Sequence, residues 1–129
     1  MRLTLDTNAY TAFCLGEDQV LQLMESADEL LIPAVVIGEL VSGFVQGSRK
    51  QENLDLLDAF LAQPGVFMQP IARREADRFG LLIKALRQAG TPIPTNDVWI
   101  AAAALCADAA VLTRDSHFDS VFGVLTVGF

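Results

Sequence analysis

Leu3-Thr4-Leu5-Asp6-Thr7-Asn8-Ala9-Tyr10-Thr11-Ala12-Phe13 is the stretch that decides the fold. Leu3 to Leu5 predicts a short strand, and Asp6-Thr7-Asn8 supplies three good helix-capping residues directly before Ala9 to Phe13. A strand that feeds straight into a helix opens a β/α unit. The rest of the chain repeats the alternation. A short helix over Val20 to Met24 precedes a strand at Glu29 to Ile32, which Pro33 ends while opening a helix over Ala34 to Gln46. Leu54, Leu57, Phe60 and Leu61 recur at helical spacing until Gln63-Pro64-Gly65, and a strand follows at Val66 to Met68. From Arg73 to the Gly90 stop, Ala76, Phe79, Leu82, Ile83 and Leu86 share one helical face, opposite Arg73, Arg74, Arg78, Lys84 and Arg87. After the stiff loop Thr91-Pro92-Ile93-Pro94, Thr95 caps a helix through Cys106, and strands follow at Ala110 to Thr113 and Val124 to Val127. The expected class is therefore α/β, a short and mostly parallel central sheet flanked by helices. No repeat or linker interrupts it, so one domain over residues 1–129 is expected.

Composition narrows the choices. A hydrophobic content of 52% supports a substantial core. The apolar run that contains Ile100 to Ala107 extends from Val98, ten residues in all, and falls well short of a membrane span. An acid at Asp6 comes too early for a signal peptide's apolar region, so a soluble cytoplasmic protein is expected. Cys14 and Cys106 lie in apolar helical contexts without paired spacing and read as buried, reduced thiols. A net charge of −7 argues against gripping nucleic acid by bulk electrostatics, so any such role rests on local features.

Four acids carry the chemistry: Asp6 after the first strand, Glu39 inside Val35-Val36-Ile37-Gly38-Glu39-Leu40-Val41, Asp97 in a helix's first turn, and Asp115 after a late strand. Singly, Asp6 is explained as a cap, Asp97 by the helix dipole and Asp115 as a turn residue. Glu39 has no polar face of its own, and burying it unpaired would cost several kcal/mol unless a cation or an arginine compensated it. Together the four suit hard divalent cations, which prefer oxygen ligands. Two such ions can clamp the attacking and leaving oxygens of a phosphodiester, and no histidine base is then needed. His117, within Asp115-Ser116-His117-Phe118, accordingly reads as a solvated loop residue.

Leu5-Asp6-Thr7-Asn8, Gly38-Glu39-Leu40, Thr95-Asn96-Asp97 followed by Ile100-Ala101-Ala102, and Leu112-Thr113-Arg114-Asp115-Ser116-His117-Phe118 together resemble the PIN domain. More narrowly they resemble the VapC toxin ribonucleases of toxin–antitoxin pairs, in order from residue 3 to about residue 127. The resemblance implies an endoribonuclease dependent on Mg²⁺ or Mn²⁺, with Asp6, Glu39, Asp97 and Asp115 as both catalytic and metal-holding residues. It makes Asn8 and Thr113 polar neighbours of that site, and leaves Asp119 either an outer carboxylate or a solvated turn residue. It also implies a VapB-like antitoxin whose C-terminal segment covers the site, an RNA substrate and a toxin homodimer.

The helices at 34 to 46 and 52 to 62 carry enough large apolar groups to suggest partner contact. The basic stripe from Arg73 to Arg87 reads as a solvated face, with Arg73–Asp77 and Glu75–Arg78 as pairs, or as an RNA guide. Trp99 reads as core. Two alternatives remain open at this point: a Mg²⁺-binding signalling receiver module, and a PIN-like binding module that has lost catalysis. The receiver fits less well, because Val66 to Met68 leads to Gln69-Pro70 where a phosphoacceptor Asp would be wanted, and no lysine follows Lys84.

Overall fold

The computed structural model describes residues 1–129, and β1 (Arg2–Leu5) lies at its centre. The chain continues through α1 (Thr7–Cys14), α2 (Asp18–Ser26), β2 (Glu29–Pro33), α3 (Ala34–Gln46), α4 (Lys50–Leu61) and β3 (Val66–Gln69). It then forms α5 (Arg73–Ala89), α6 (Thr95–Ala107), β4 (Ala110–Leu112), a 3₁₀ turn (Ser116–Ser120) and β5 (Thr126–Val127). The sheet runs β3-β2-β1-β4-β5 with every pair parallel. The chain thus winds outward from β1 through β2 to β3, then returns to β1's other side with β4. That reversal puts the topological switch point between β1 and β4, where an open parallel sheet leaves a crevice beyond its carboxyl ends.

Leu3 and Leu5 of β1, Ile32 of β2 and Val111 and Leu112 of β4 are fully buried, as central parallel strands covered on both faces require. The edge strand β3 is different, with Phe67 and Met68 each about half exposed. α6 is the enclosed helix: Val98, Ile100 and Ala101 to Ala104 are all buried, because alanine lets its backbone sit close to its neighbours. Only two connecting residues separate α6 from β4, so α6 runs back against the strand direction. Its first turn, with Asp97, therefore lies at the carboxyl edge of the sheet.

Several local expectations change. α3 buries only Val36 and Leu40, while Gly38, Ser42, Gly43 and Val45 are exposed. On α5 the inward face is Glu75, Phe79, Leu82, Ile83 and Leu86, with Ala76 exposed in place of the buried Glu75. Glu75 pairs with Arg74 at 3.1 Å rather than with Arg78, whereas Arg73 does pair with Asp77 at 2.8 Å. Cys14 is exposed and Cys106 half-buried, so neither is the core thiol expected, and both are free. Trp99 stacks on Phe79 with ring centres 3.8 Å apart, which makes it part of the α5–α6 packing. No helix is long and apolar enough to cross a membrane.

Candidate metal centre

Asp6 is the first residue past β1 and the N-cap of α1. Its extended backbone (φ −89°, ψ 177°) lets Oδ1 accept the Ala9 amide at 3.0 Å. The other oxygen, Oδ2, accepts the Thr113 hydroxyl. Thr113 stands just past β4, and its Oγ1 also accepts the Asp115 amide at 2.9 Å. Asp115 in turn caps the 3₁₀ turn by accepting the His117 amide at 3.0 Å. Asp97 enters from the first turn of α6, and Glu39 from the second turn of α3, where its Oε1 accepts the Thr7 hydroxyl at 3.0 Å.

All four acids line one cleft of about 340 Å³ at the carboxyl edge of the sheet, with Thr7, Asn8, Ala12 and Ile100 among its other walls. Glu39 is half-buried beside exposed Gly38 and Ser42, so its helix position opens to the cleft. The burial cost anticipated for it does not arise. Asn8 also faces the cleft, and its Oδ1 accepts the Arg114 amide at 3.4 Å. Thr113 is buried behind the acids as their bridge. Asp119 is exposed in the 3₁₀ turn and does not line the cleft.

Burial pushes the Asp6 carboxyl up to about 6, and the charges of Asp97 and Asp115 push the same way. Its bonds from Thr113 and Ala9 only partly pull it back. Asp97 is also raised, first by burial, with Asp115's charge adding and a hydrogen bond to His117 opposing.

His117 is exposed in the 3₁₀ turn, as the sequence suggests, but its contact with the acids is one that sequence reasoning missed. Its ring is partly exposed, yet Nδ1 lies 2.7 Å from Asp97 Oδ2 and 3.1 Å from Asp115 Oδ1. The hydrogen bond to Asp97 is the main cause of its raised pKa. The only sequence signal was its place two residues after a capping Asp115, which turns the ring back toward the acids. One ligand atom from each of Asp97, Asp115 and His117 falls within 4.8 Å of the other two.

The donor set fits a hard divalent cation. It consists of carboxylate oxygens with one imidazole at the side, and the single basic residue on the cleft wall, Arg114, is already paired with Glu17 at 2.6 Å. Asp97 and Asp115 repel the charge on Asp6, which is only 4% exposed, and no lysine or arginine pairs with any of the three.

Comparison with known proteins agrees with this geometry. The PIN domain pattern matches residues 3–123. Ribonuclease VapC4 of Mycobacterium tuberculosis is 34% identical over 90 residues, which cover 67% of this chain and 67% of that protein. Among solved structures, VapBC2 from Rickettsia felis bound to a promoter DNA fragment superposes with a TM-score of 0.86 at 25% identity, covering 99% of this chain and 98% of that one. VapBC-1 from nontypeable Haemophilus influenzae shares the fold with a TM-score of 0.87 at 19% identity and the same coverage, 99% and 98%. These likenesses displace the receiver alternative, and the chain belongs to the PIN-domain family, among its VapC-type members.

Proposed function

We propose that this protein is an endoribonuclease, the toxin of a toxin–antitoxin pair, which hydrolyses RNA phosphodiesters with Mg²⁺ or Mn²⁺ held by Asp6, Glu39, Asp97 and Asp115. One observation carries the reading: four carboxylates from the ends of β1 and β4 and from the helices α3 and α6 line a single cleft at the switch point. The family relationship to a named ribonuclease supports the choice of RNA. When bound, such a cation supplies Lewis acidity toward phosphate oxygens and lowers the pKa of the attacking water. The chain's own residues set the stage for it. Thr113 ties Asp6 to Asp115, Thr7 orients Glu39, and Asn8 steadies the segment that carries Asp115. Ala12 and Ile100 contribute to the apolar part of a wall that is otherwise mostly polar.

The same reading has the protein act in the cytoplasm beside a VapB-like antitoxin, and as a homodimer. An apolar trough between α1, α3 and α4, lined by Tyr10, Leu40, Phe44 and Leu56, shares Thr11 and Leu15 with the acidic cleft. An antitoxin segment seated there would pass directly to the acids, and a basic side chain on it would complement the protein's charge of −7. Exposed Leu81 and Phe122, which border a separate apolar hollow, are available for a second copy. The test is RNA cleavage by purified protein. It should require Mg²⁺ or Mn²⁺, stop with EDTA, and fall at least about a hundredfold in Asp97→Asn with folding retained. Equal cleavage in EDTA, once contaminating nuclease is excluded, refutes the reading.

A further inference from the structure

We propose that Arg114 binds a phosphate of the RNA strand and orients it over the acidic cleft. This rests on the ribonuclease reading and assigns a role to a residue outside the metal-holding set. Five acids line the cleft, Asp6, Glu17, Glu39, Asp97 and Asp115, and Arg114 is the one basic residue among them. A polyanion entering this cleft therefore meets one permanently charged side chain, while the ring of His117 beside it is engaged with Asp97 and Asp115.

That cation is held from three directions. Its guanidinium carbon lies 4.4 Å from the centre of the Phe129 ring, its Nη2 donates to Glu17 Oε2 at 2.6 Å, and its amide donates to Asn8 Oδ1 at 3.4 Å. The loop after α1 (Glu17), the first turn of α1 (Asn8) and Phe129 all meet this residue at the exit of β4. An exposed ion pair contributes little to folding, and both partners here are more than two-fifths exposed, so stability does not account for the arrangement. Preorganisation does. The aromatic ring covers a face of the guanidinium, Glu17 takes one of its N–H groups, and the in-plane donors that remain match phosphate oxygens in a fork geometry. Arg114 also directly precedes Asp115, so a phosphate it holds lies beside the acids.

A purely structural Glu17–Arg114 pair makes a different forecast, because breaking it from either end should then have the same effect. The two are separated by fluorescence anisotropy of a labelled single-stranded RNA of randomised sequence, measured against NaCl with Mg²⁺ present. Asp6→Asn serves as the slow-cleaving parent. Arg114→Ala on that parent is expected to weaken binding about tenfold and to make the slope of log K against log salt shallower by about 0.7, one phosphate contact. Arg114→Lys should restore the slope but only part of the affinity, since lysine lacks the fork and the stacking. Glu17→Gln, which leaves the cation without its competing anion, should bind RNA as tightly as the parent or more tightly. Equal weakening by Arg114→Ala and Glu17→Gln, or an Arg114→Ala protein with the parent's affinity and slope, overturns the assignment alone. Absence of RNA binding by both the parent and the native protein overturns the ribonuclease reading and this assignment with it.

Discussion

The Thr113 hydroxyl donates to the Asp6 carboxylate while it accepts the Asp115 amide, so one side chain fixes the chain ends leaving β1 and β4 to each other. That bond favours ionised Asp6 against the burial that disfavours it. Thr113→Val removes the donor and nearly keeps the volume, so the Asp6 carboxyl should titrate higher. The acidic limb of the pH–rate profile for RNA cleavage is expected to move to higher pH, with most activity recovered on the alkaline side. An unmoved limb contradicts the role given to Thr113.

Asp6 itself should limit the stability of the metal-free protein. Its carboxyl titrates at about 6 in the folded state against an ordinary value of 3.8, so the folded chain binds that proton more tightly. The sign follows: the penalty is absent below the ordinary value, grows as pH rises toward about 6, and is complete above it. In EDTA at neutral pH, Asp6→Asn is expected to be more stable to urea by on the order of 2 kcal/mol, with the gain vanishing near about pH 4. A loss of stability at neutral pH would show that ionised Asp6 is well solvated or compensated.

His117 Nδ1 lies within reach of both Asp97 and Asp115, two of the residues that would hold a cation, and its pKa is raised chiefly by the Asp97 hydrogen bond. The protonated ring and a divalent ion should therefore compete. His117→Ala is expected to bind Mn²⁺ more tightly than the native protein at about pH 6, the difference narrowing by about pH 8. Cleavage at saturating metal should fall far less than in Asp97→Asn. Loss of Mn²⁺ binding at every pH would instead make the ring a ligand, which calorimetry distinguishes.

Leu56 is about half exposed and lines both apolar hollows that flank α4. If an antitoxin segment fills them, Leu56→Glu should weaken its binding by at least about 2 kcal/mol, roughly thirtyfold, while RNA cleavage persists. Calorimetry with the antitoxin measures this directly. Unchanged affinity would move the partner surface elsewhere.

The alternation of strands and helices was legible because each strand is a short apolar run bounded by caps or breakers, as at Leu3 to Asp6 and at Pro33. The last strand shrank to Thr126–Val127 because it has one neighbour, β4, and follows a loop that turns at Gly123 (φ 86°). Helix faces were harder. The wheel for α5 favoured Ala76 over Glu75, although Glu75 is buried beside its Arg74 partner. α3, with the larger side chains, buries only Val36 and Leu40, whereas the alanines of α6 let that helix pack closer. The acids could be named from the sequence, whereas their meeting depends on strand order, which brings β1 beside β4. The His117 contact was not legible, since it joins residues twenty apart through the return from α6 to β4.

The central claim is that the acids hold a divalent cation on which RNA cleavage depends. Metal-stripped protein titrated with Mn²⁺, with binding and cleavage followed in the same samples, tests it most directly. Saturable binding is expected, with cleavage rising in step with occupancy and both lost in folded Asp97→Asn. Cleavage by the stripped protein that added Mn²⁺ does not increase, or Mn²⁺ bound as tightly by Asp97→Asn as by the native chain, would contradict it.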